Sequence, residues 1–113
     1  YESVMEAASI MSQLSPVFAT DHPDSLALRQ RLRPSHQAHL RGTDAHRVVV
    51  RLGGPTLDDA GLAMNGTLLV IEAGSLSEGE SFIQDDPYVQ AGLVSSIQIR
   101  PWHWSLGNRE RRG

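Results

Sequence analysis

Short apolar runs alternate along the chain with two stretches of helical period. Pro16-Val17-Phe18-Ala19-Thr20 is the first run, and the turn cluster Asp21-His22-Pro23-Asp24-Ser25 follows it. It predicts a short first strand, with Pro16 at its start where a missing N–H is harmless. Leu26 then opens a helix capped by Asp24 or Ser25. Within it Leu28, Leu32, His36 and Leu40 fall four residues apart, on one slowly drifting stripe. A leucine stripe faces a core, so His36 is directed inward, with Arg33 one turn before it. Pro34 removes a helical hydrogen bond and disfavours helical geometry at Arg33. The expectation is a kink or break, with Pro34 restarting a second piece that ends near Arg41-Gly42. Arg33 and His36 would then splay around the opening of the bend.

Arg47-Val48-Val49-Val50-Arg51-Leu52 is β-branched and predicts strand two, closed by Gly53-Gly54-Pro55. Residues 56–65 read as a loop. Gly66-Thr67-Leu68-Leu69-Val70-Ile71-Glu72-Ala73 is almost continuously apolar and predicts a central third strand. Ser75 or Ser77 caps the next helix, with Glu78 and Glu80 in its first turn. Asp86-Pro87 is a good cap and first-residue pair for a short helix through Gln90. Val94 to Arg100 gives strand four, and Pro101-Trp102-His103-Trp104 continues extended with both tryptophans on one face. Strand, helix, strand, strand, helix, strand is the split βαβ order of an α+β, ferredoxin-like fold: an antiparallel sheet with its helices on one face. Two helices cannot cover the other face, so a homodimer packed sheet to sheet is expected, with Trp102 and Trp104 as interface anchors.

Composition narrows the chemistry. The 113 residues are 40% hydrophobic and 20% charged, which fits one globular domain. Net charge is −3, and the basic residues form no stripe interleaved with aromatics, so nucleic acid is not an expected partner. There is no cysteine, which removes thiolate nucleophiles and thiolate metal sites. All ten basic residues are arginine, so Schiff-base, pyridoxal phosphate and P-loop lysine chemistry are excluded as well. No apolar run reaches the ~20 residues of a membrane span. Residues 1–14 match neither a secretory signal nor a transit peptide, and they read as an extension: a tag, an over-extended gene reading or an extra helix. The domain proper is placed at 15–106, with a polar tail at 107–113. A cytoplasmic location is the expectation.

The motifs converge on a family at this point. Arg33-Pro34-Ser35-His36, Gly53-Gly54-Pro55, the Gly66–Glu72 strand and Asp86-Pro87-Tyr88-Val89-Gln90-Ala91-Gly92-Leu93 occur in the order and spacing of the YciI-like (YCII-related) domain. The chain resembles that family over roughly residues 16–106. The resemblance implies a dimeric α+β barrel, related in fold to muconolactone isomerase. It also implies a pocket between helices and sheet that holds a histidine–aspartate pair, here His36 and Asp86. Some relatives of this kind are linked to breakdown of hydroxylated or halogenated aromatics, as dehydrohalogenase or lyase-like enzymes.

Each candidate has a plain reading beside the chemical one. His36 is a core histidine or a general acid/base whose tautomer Asp86 fixes. Asp86 is a helix cap or that partner. Arg33 is a surface arginine or the group that binds an anionic substrate. Tyr88 lines the pocket or fills it, and Gly54 and Pro55 allow close approach at its mouth. His36 and His39 stand three apart without a defined third ligand, so neither a metal nor another cofactor is expected. Two functions remain open: proton-transfer chemistry on a small cyclic or aromatic anion, or a non-catalytic dimer that binds a small molecule.

Overall fold

Alternating inward and outward residues along the first strand, β1 (Gln13–Asp21), set the two faces of a four-stranded sheet. The computed structural model describes residues 13–42 and 45–107. The extension read at residues 1–14 lies outside the described residues up to residue 12, and the polar tail read at 107–113 lies outside them from residue 108. After β1 come α1 (Leu26–Arg41), β2 (Val49–Leu57), β3 (Met64–Ala73), α2 (Leu76–Gln84), α3 (Pro87–Gln90) and β4 (Val94–Ile99). The sheet order is β2-β3-β1-β4, and every neighbouring pair is antiparallel. This is the α+β, ferredoxin-like arrangement, with β3 inserted between β2 and β1.

Val17 faces Leu69 across the central pair, and Ser15 faces Ile71. With Phe82 and Ile83 of α2, the apolar inward residues Val17, Leu69 and Ile71 form the core between sheet and helices. Full burial of each large apolar side chain there contributes roughly 1.5–3 kcal/mol. The outward register is different. Phe18 pairs with Leu68, and Leu52 of β2 lies beside Val70. Phe18, Leu68 and Leu52 remain 51%, 44% and 57% exposed, an apolar patch on the face without helices. Past β4, Trp102 N–H donates to Leu14 O at 2.9 Å, and its indole stacks on Trp104.

Three expectations change. First, β1 is longer than the Pro16–Thr20 run, because Gln13, Leu14 and Ser15 pair with Ala73, Glu72 and Ile71. Pro16 is therefore four residues into the strand, where its carbonyl still accepts from Arg100 N–H at 3.3 Å. Second, Gly53-Gly54-Pro55 does not close β2 but lies within it. An edge strand tolerates a proline, and register shifts at Val50/Leu52 and Thr56/Leu57 absorb the irregularity. The following loop shrinks to residues 58–63, and Asp58 Oδ1 accepts from Leu62 N–H there at 2.9 Å. Third, α1 is one unbroken helix through Pro34. The proline costs the Gln30 carbonyl its helical donor without ending the helix.

Smaller expectations are settled by capping geometry. Ser75 rather than Ser77 caps α2, its Oγ accepting from Glu78 N–H at 3.1 Å. Ser25 caps α1 by position but makes no side-chain cap bond. No helix among the described residues is long and apolar enough to cross a membrane.

Candidate functional site

Seven residues of α-helix turn through about 700°, which brings Arg29 and His36 onto nearly the same face of α1. They are the two buried residues of that helix. His36 meets Asp86, which arrives at the start of α3. The carboxylate does two things there. Its Oδ1 accepts from Tyr88 N–H at 2.9 Å, capping the short helix. Both oxygens also face His36 Nδ1, at 2.9 and 2.8 Å. An ionised carboxylate only accepts, so Nδ1 carries the proton and donates it. Nε2 is then the nitrogen left for another partner, and among the described residues it has none. One carboxylate thus caps α3 and contacts His36 at the same time.

Tyr88 completes the setting of the imidazole. Its ring stacks on His36 with centroids 3.9 Å apart and planes inclined by 13°. Burial pushes the Tyr88 phenol up from its ordinary value, against the lesser opposing pull of the Arg29 and Arg33 charges. The phenol therefore keeps its proton and remains a donor.

Arg29 is 2% exposed and is held from two sides. Its Nε donates to Asp21 Oδ2 at 2.7 Å and its Nη2 to Asp21 Oδ1 at 3.1 Å. Nη2 also donates to Thr67 Oγ1 at 2.6 Å. The guanidinium carbon lies 4.5 Å from the centre of the Tyr88 ring. Asp21 is positioned by strand alternation: it follows Val17 and Ala19 on the inward face of β1.

Between α1 and the β2 edge a cleft opens with about 150 Å³ of free space. That is well below the ~300 Å³ at which pockets for drug-sized molecules begin, so the cleft suits a small compound. Arg33, His36, Gly54, Pro55 and Tyr88 all line it. Asp86 does not. It stands behind His36, against a separate internal void of about 20 Å³ that both residues border. Arg33 is exposed at the rim rather than splayed by a broken helix.

Gly54 does not need to be glycine for closeness, because a Cβ there would meet nothing within 4 Å. The close approach falls on Gly53, where a Cβ would sit 2.7 Å from Leu69 Cδ2. Leu40 of the inward stripe lines the cleft as well, and so do Arg29, Thr67 and Gln37, which the sequence pattern does not single out. The signal for Arg29 was present: it stands two turns before His36 on a face already marked as inward. His39 turns away from the cleft, its ring against Phe82 and its Nε2 donating to the Phe82 carbonyl at 2.8 Å. It is therefore not paired with His36 as a ligand. Among the described residues no group of three His, Asp or Glu side chains is placed to hold a metal ion.

Comparison with known proteins identifies the domain. The model of the YCII-related domain matches residues 15–103. Protein YciI of Escherichia coli O6:H1 is 32% identical over 90 residues, covering 76% of this chain and 92% of that protein. A Haemophilus influenzae protein without an assigned function is 27% identical over the same length and coverage. Among solved structures, 5-chloro-2-hydroxyhydroquinone dehydrochlorinase (TftG) from Burkholderia phenoliruptrix AC1100, in complex with 2,5-dihydroxybenzoquinone, superimposes with a TM-score of 0.68. It is 33% identical, and the match covers 80% of this chain and 93% of that one. Sequence and fold thus agree across most of the chain, which belongs to the YCII-related domain family.

Proposed function

We propose that the cleft carries out proton-transfer chemistry on a small hydroxylated cyclic or aromatic anion, with His36 as the general acid/base. The observation behind this reading is the contact of His36 Nδ1 with both oxygens of Asp86, which leaves Nε2 without a partner among the described residues, on a side chain that lines the cleft. Asp86 holds the tautomer and offsets the positive charge that forms on the ring. Arg33, at the rim, draws in an anion and pairs with it. Gly54, Pro55 and Tyr88 shape the walls around a flat molecule.

In the forward step a C–H or O–H bond of the substrate breaks. The proton goes to Nε2 and the bonding pair stays on the ring system as an enolate. Where a halide is attached, the proton is first returned from Nε2 to the halide-bearing carbon, which becomes tetrahedral; abstraction of a second O–H proton then drives its pair inward and the halide leaves with its own bonding electrons, so the sum is loss of hydrogen halide. The dehydrochlorinase similarity supports this class of reaction. The reading needs no metal or organic cofactor.

We also assign the uncovered sheet face to a second copy of this chain. Phe18 and Leu68 pair side by side and Leu52 extends the patch, while Trp102 stands on the same outward register through Leu14. An interface between identical chains uses the same patch twice, and apolar residues in register suit it.

The test is to offer the purified protein 5-chloro-2-hydroxyhydroquinone and follow chloride release, beside the His36→Gln variant. Release by the wild type and its loss in the variant supports the enzyme reading. Calorimetric binding of 2,5-dihydroxybenzoquinone with no turnover of any halogenated hydroquinone would favour the non-catalytic binding dimer instead. Absence of both overturns the assignment of the cleft.

A further inference from the structure

The guanidinium of Arg29 has five N–H donors. Three are committed, two to Asp21 and one to Thr67 Oγ1, at distances of 2.6 to 3.1 Å. The remaining two are on Nη1, whose one protein contact is the Tyr88 hydroxyl at 3.5 Å, the outer limit for a hydrogen bond. Among the described residues Nη1 has no other partner. Arg29 is 2% exposed, yet it borders the cleft, as does Tyr88. Buried donors are almost always satisfied, so a charged group with spare N–H bonds at a cleft wall calls for an acceptor inside the cleft.

We infer that Arg29 Nη1 and the Tyr88 hydroxyl together form an oxygen-binding subsite, the end of the cleft opposite to the work of His36, and that it takes a ring oxygen in its phenolate or enolate form. This rests on the reading of the cleft as a site for hydroxylated rings, and adds where such a ring is gripped. The guanidinium lies 4.5 Å from the Tyr88 ring centre and the imidazole 3.9 Å from it, and all three residues line the same cleft.

Charge decides the ligand class. Asp21 already neutralises Arg29, so the subsite has directed donors but little spare positive charge. A full carboxylate would bring a second anion next to Asp21 with only these donors to satisfy it. A single oxygen carrying delocalised charge needs no more than two donors. During proton abstraction the electron pair left on the ring spreads to such an oxygen, and donors waiting there stabilise it without rearrangement. Thr67 and Asp21 act through Arg29: they lock its fork so that Nη1 cannot swing away.

The probe is 4-nitrophenol, whose neutral and ionised forms absorb differently, titrated into the purified protein near the ordinary pKa of the phenol. The wild type is expected to hold the phenolate in preference to the phenol. Tyr88→Phe keeps the ring stacked on His36 and loses the hydroxyl, and Arg29→Lys keeps a charge for Asp21 and loses Nη1. Each is expected to lower the phenolate preference by about tenfold or more, the scale of a hydrogen bond to a charged acceptor.

Circular dichroism shows which variants fold, and loss of preference in either folded variant supports the subsite. If Tyr88→Phe and Arg29→Lys both keep the preference while His36→Gln loses it, the oxygen sits at the histidine. That overturns the subsite but leaves the proton-transfer reading standing. A wild type that binds neither form overturns both.

Discussion

The imidazole of His36 lies flat against the ring of Tyr88, with centroids 3.9 Å apart, while its edge is pinned by Asp86. A ring held on its face and along one edge cannot flip or tilt freely. That restraint suits a proton carrier, because the free nitrogen keeps one direction.

The Asp86→Asn variant separates the two duties of that residue. Asparagine caps helices about as well as aspartate, so α3 and the fold should persist. The counter-charge to the imidazolium is gone, and kcat should fall by about 10²–10⁴-fold, the range typical of general acid–base contributions. Chloride release measured beside a thermal melt checks this. An unchanged kcat in a folded variant would reduce Asp86 to a cap.

Asp21→Ala leaves Arg29 as an uncompensated charge, 98% out of contact with water. Breaking a buried pair in this way costs about 3–5 kcal/mol, so the urea midpoint should drop steeply. The double variant Asp21→Leu with Arg29→Met removes both charges and should recover much of the loss. Similar midpoints for the single variant and the wild type would show the pair to be dispensable.

The Tyr88 phenol gives a pH signature. Its folded pKa is raised above the ordinary 10.0, so the folded state holds that proton more tightly than the unfolded chain does. The stability tied to the neutral phenol is fully present below pH 10 and is lost as pH climbs through the folded value. A difference titration in the near ultraviolet, wild type minus Tyr88→Phe, should therefore show an ionisation later than that of a free tyrosine. At the acid end, Leu62 and Ala63 N–H groups hold the Asp58 carboxyl below its ordinary 3.8. The loop's contribution persists above that value and fades as pH falls through the lowered one.

Phe18→Glu places a charge at the centre of the outward patch, opposite Leu68. If two copies meet there, sedimentation should show the variant shifting to a monomer with its secondary structure intact. A wild-type protein that is monomeric at micromolar concentration would remove the sheet-to-sheet dimer.

The ferredoxin-like order was legible because β3 is continuously apolar and the Ser75 and Asp86-Pro87 caps are strong local signals. His36 and Asp86 were found as a pair through the family motif, whereas spacing along one helix says nothing of a partner fifty residues on. Arg29 and Asp21 were missed because charged residues default to solvent, and their burial depends on a contact between β1 and α1 that neither segment reveals alone. Pro34 was misjudged: tertiary packing on both sides of it carries α1 past a residue that would end an isolated helix. Gly53-Gly54-Pro55 reads as a stop only until the strand is known to be an edge.

The loop at residues 58–63 acquires a different meaning from this layout. Asp21, Arg29 and His36 precede it, while Thr67, Asp86 and Tyr88 follow it. Apart from Asp21 with Arg29 and the Asp86 cap on Tyr88 N–H, each side-chain contact that builds the site joins one half of the chain to the other. The cleft is thus a seam, absent from either half alone. A protein nicked in that loop would carry half the chemistry on each fragment, and ligand binding would serve as a clamp holding the two together.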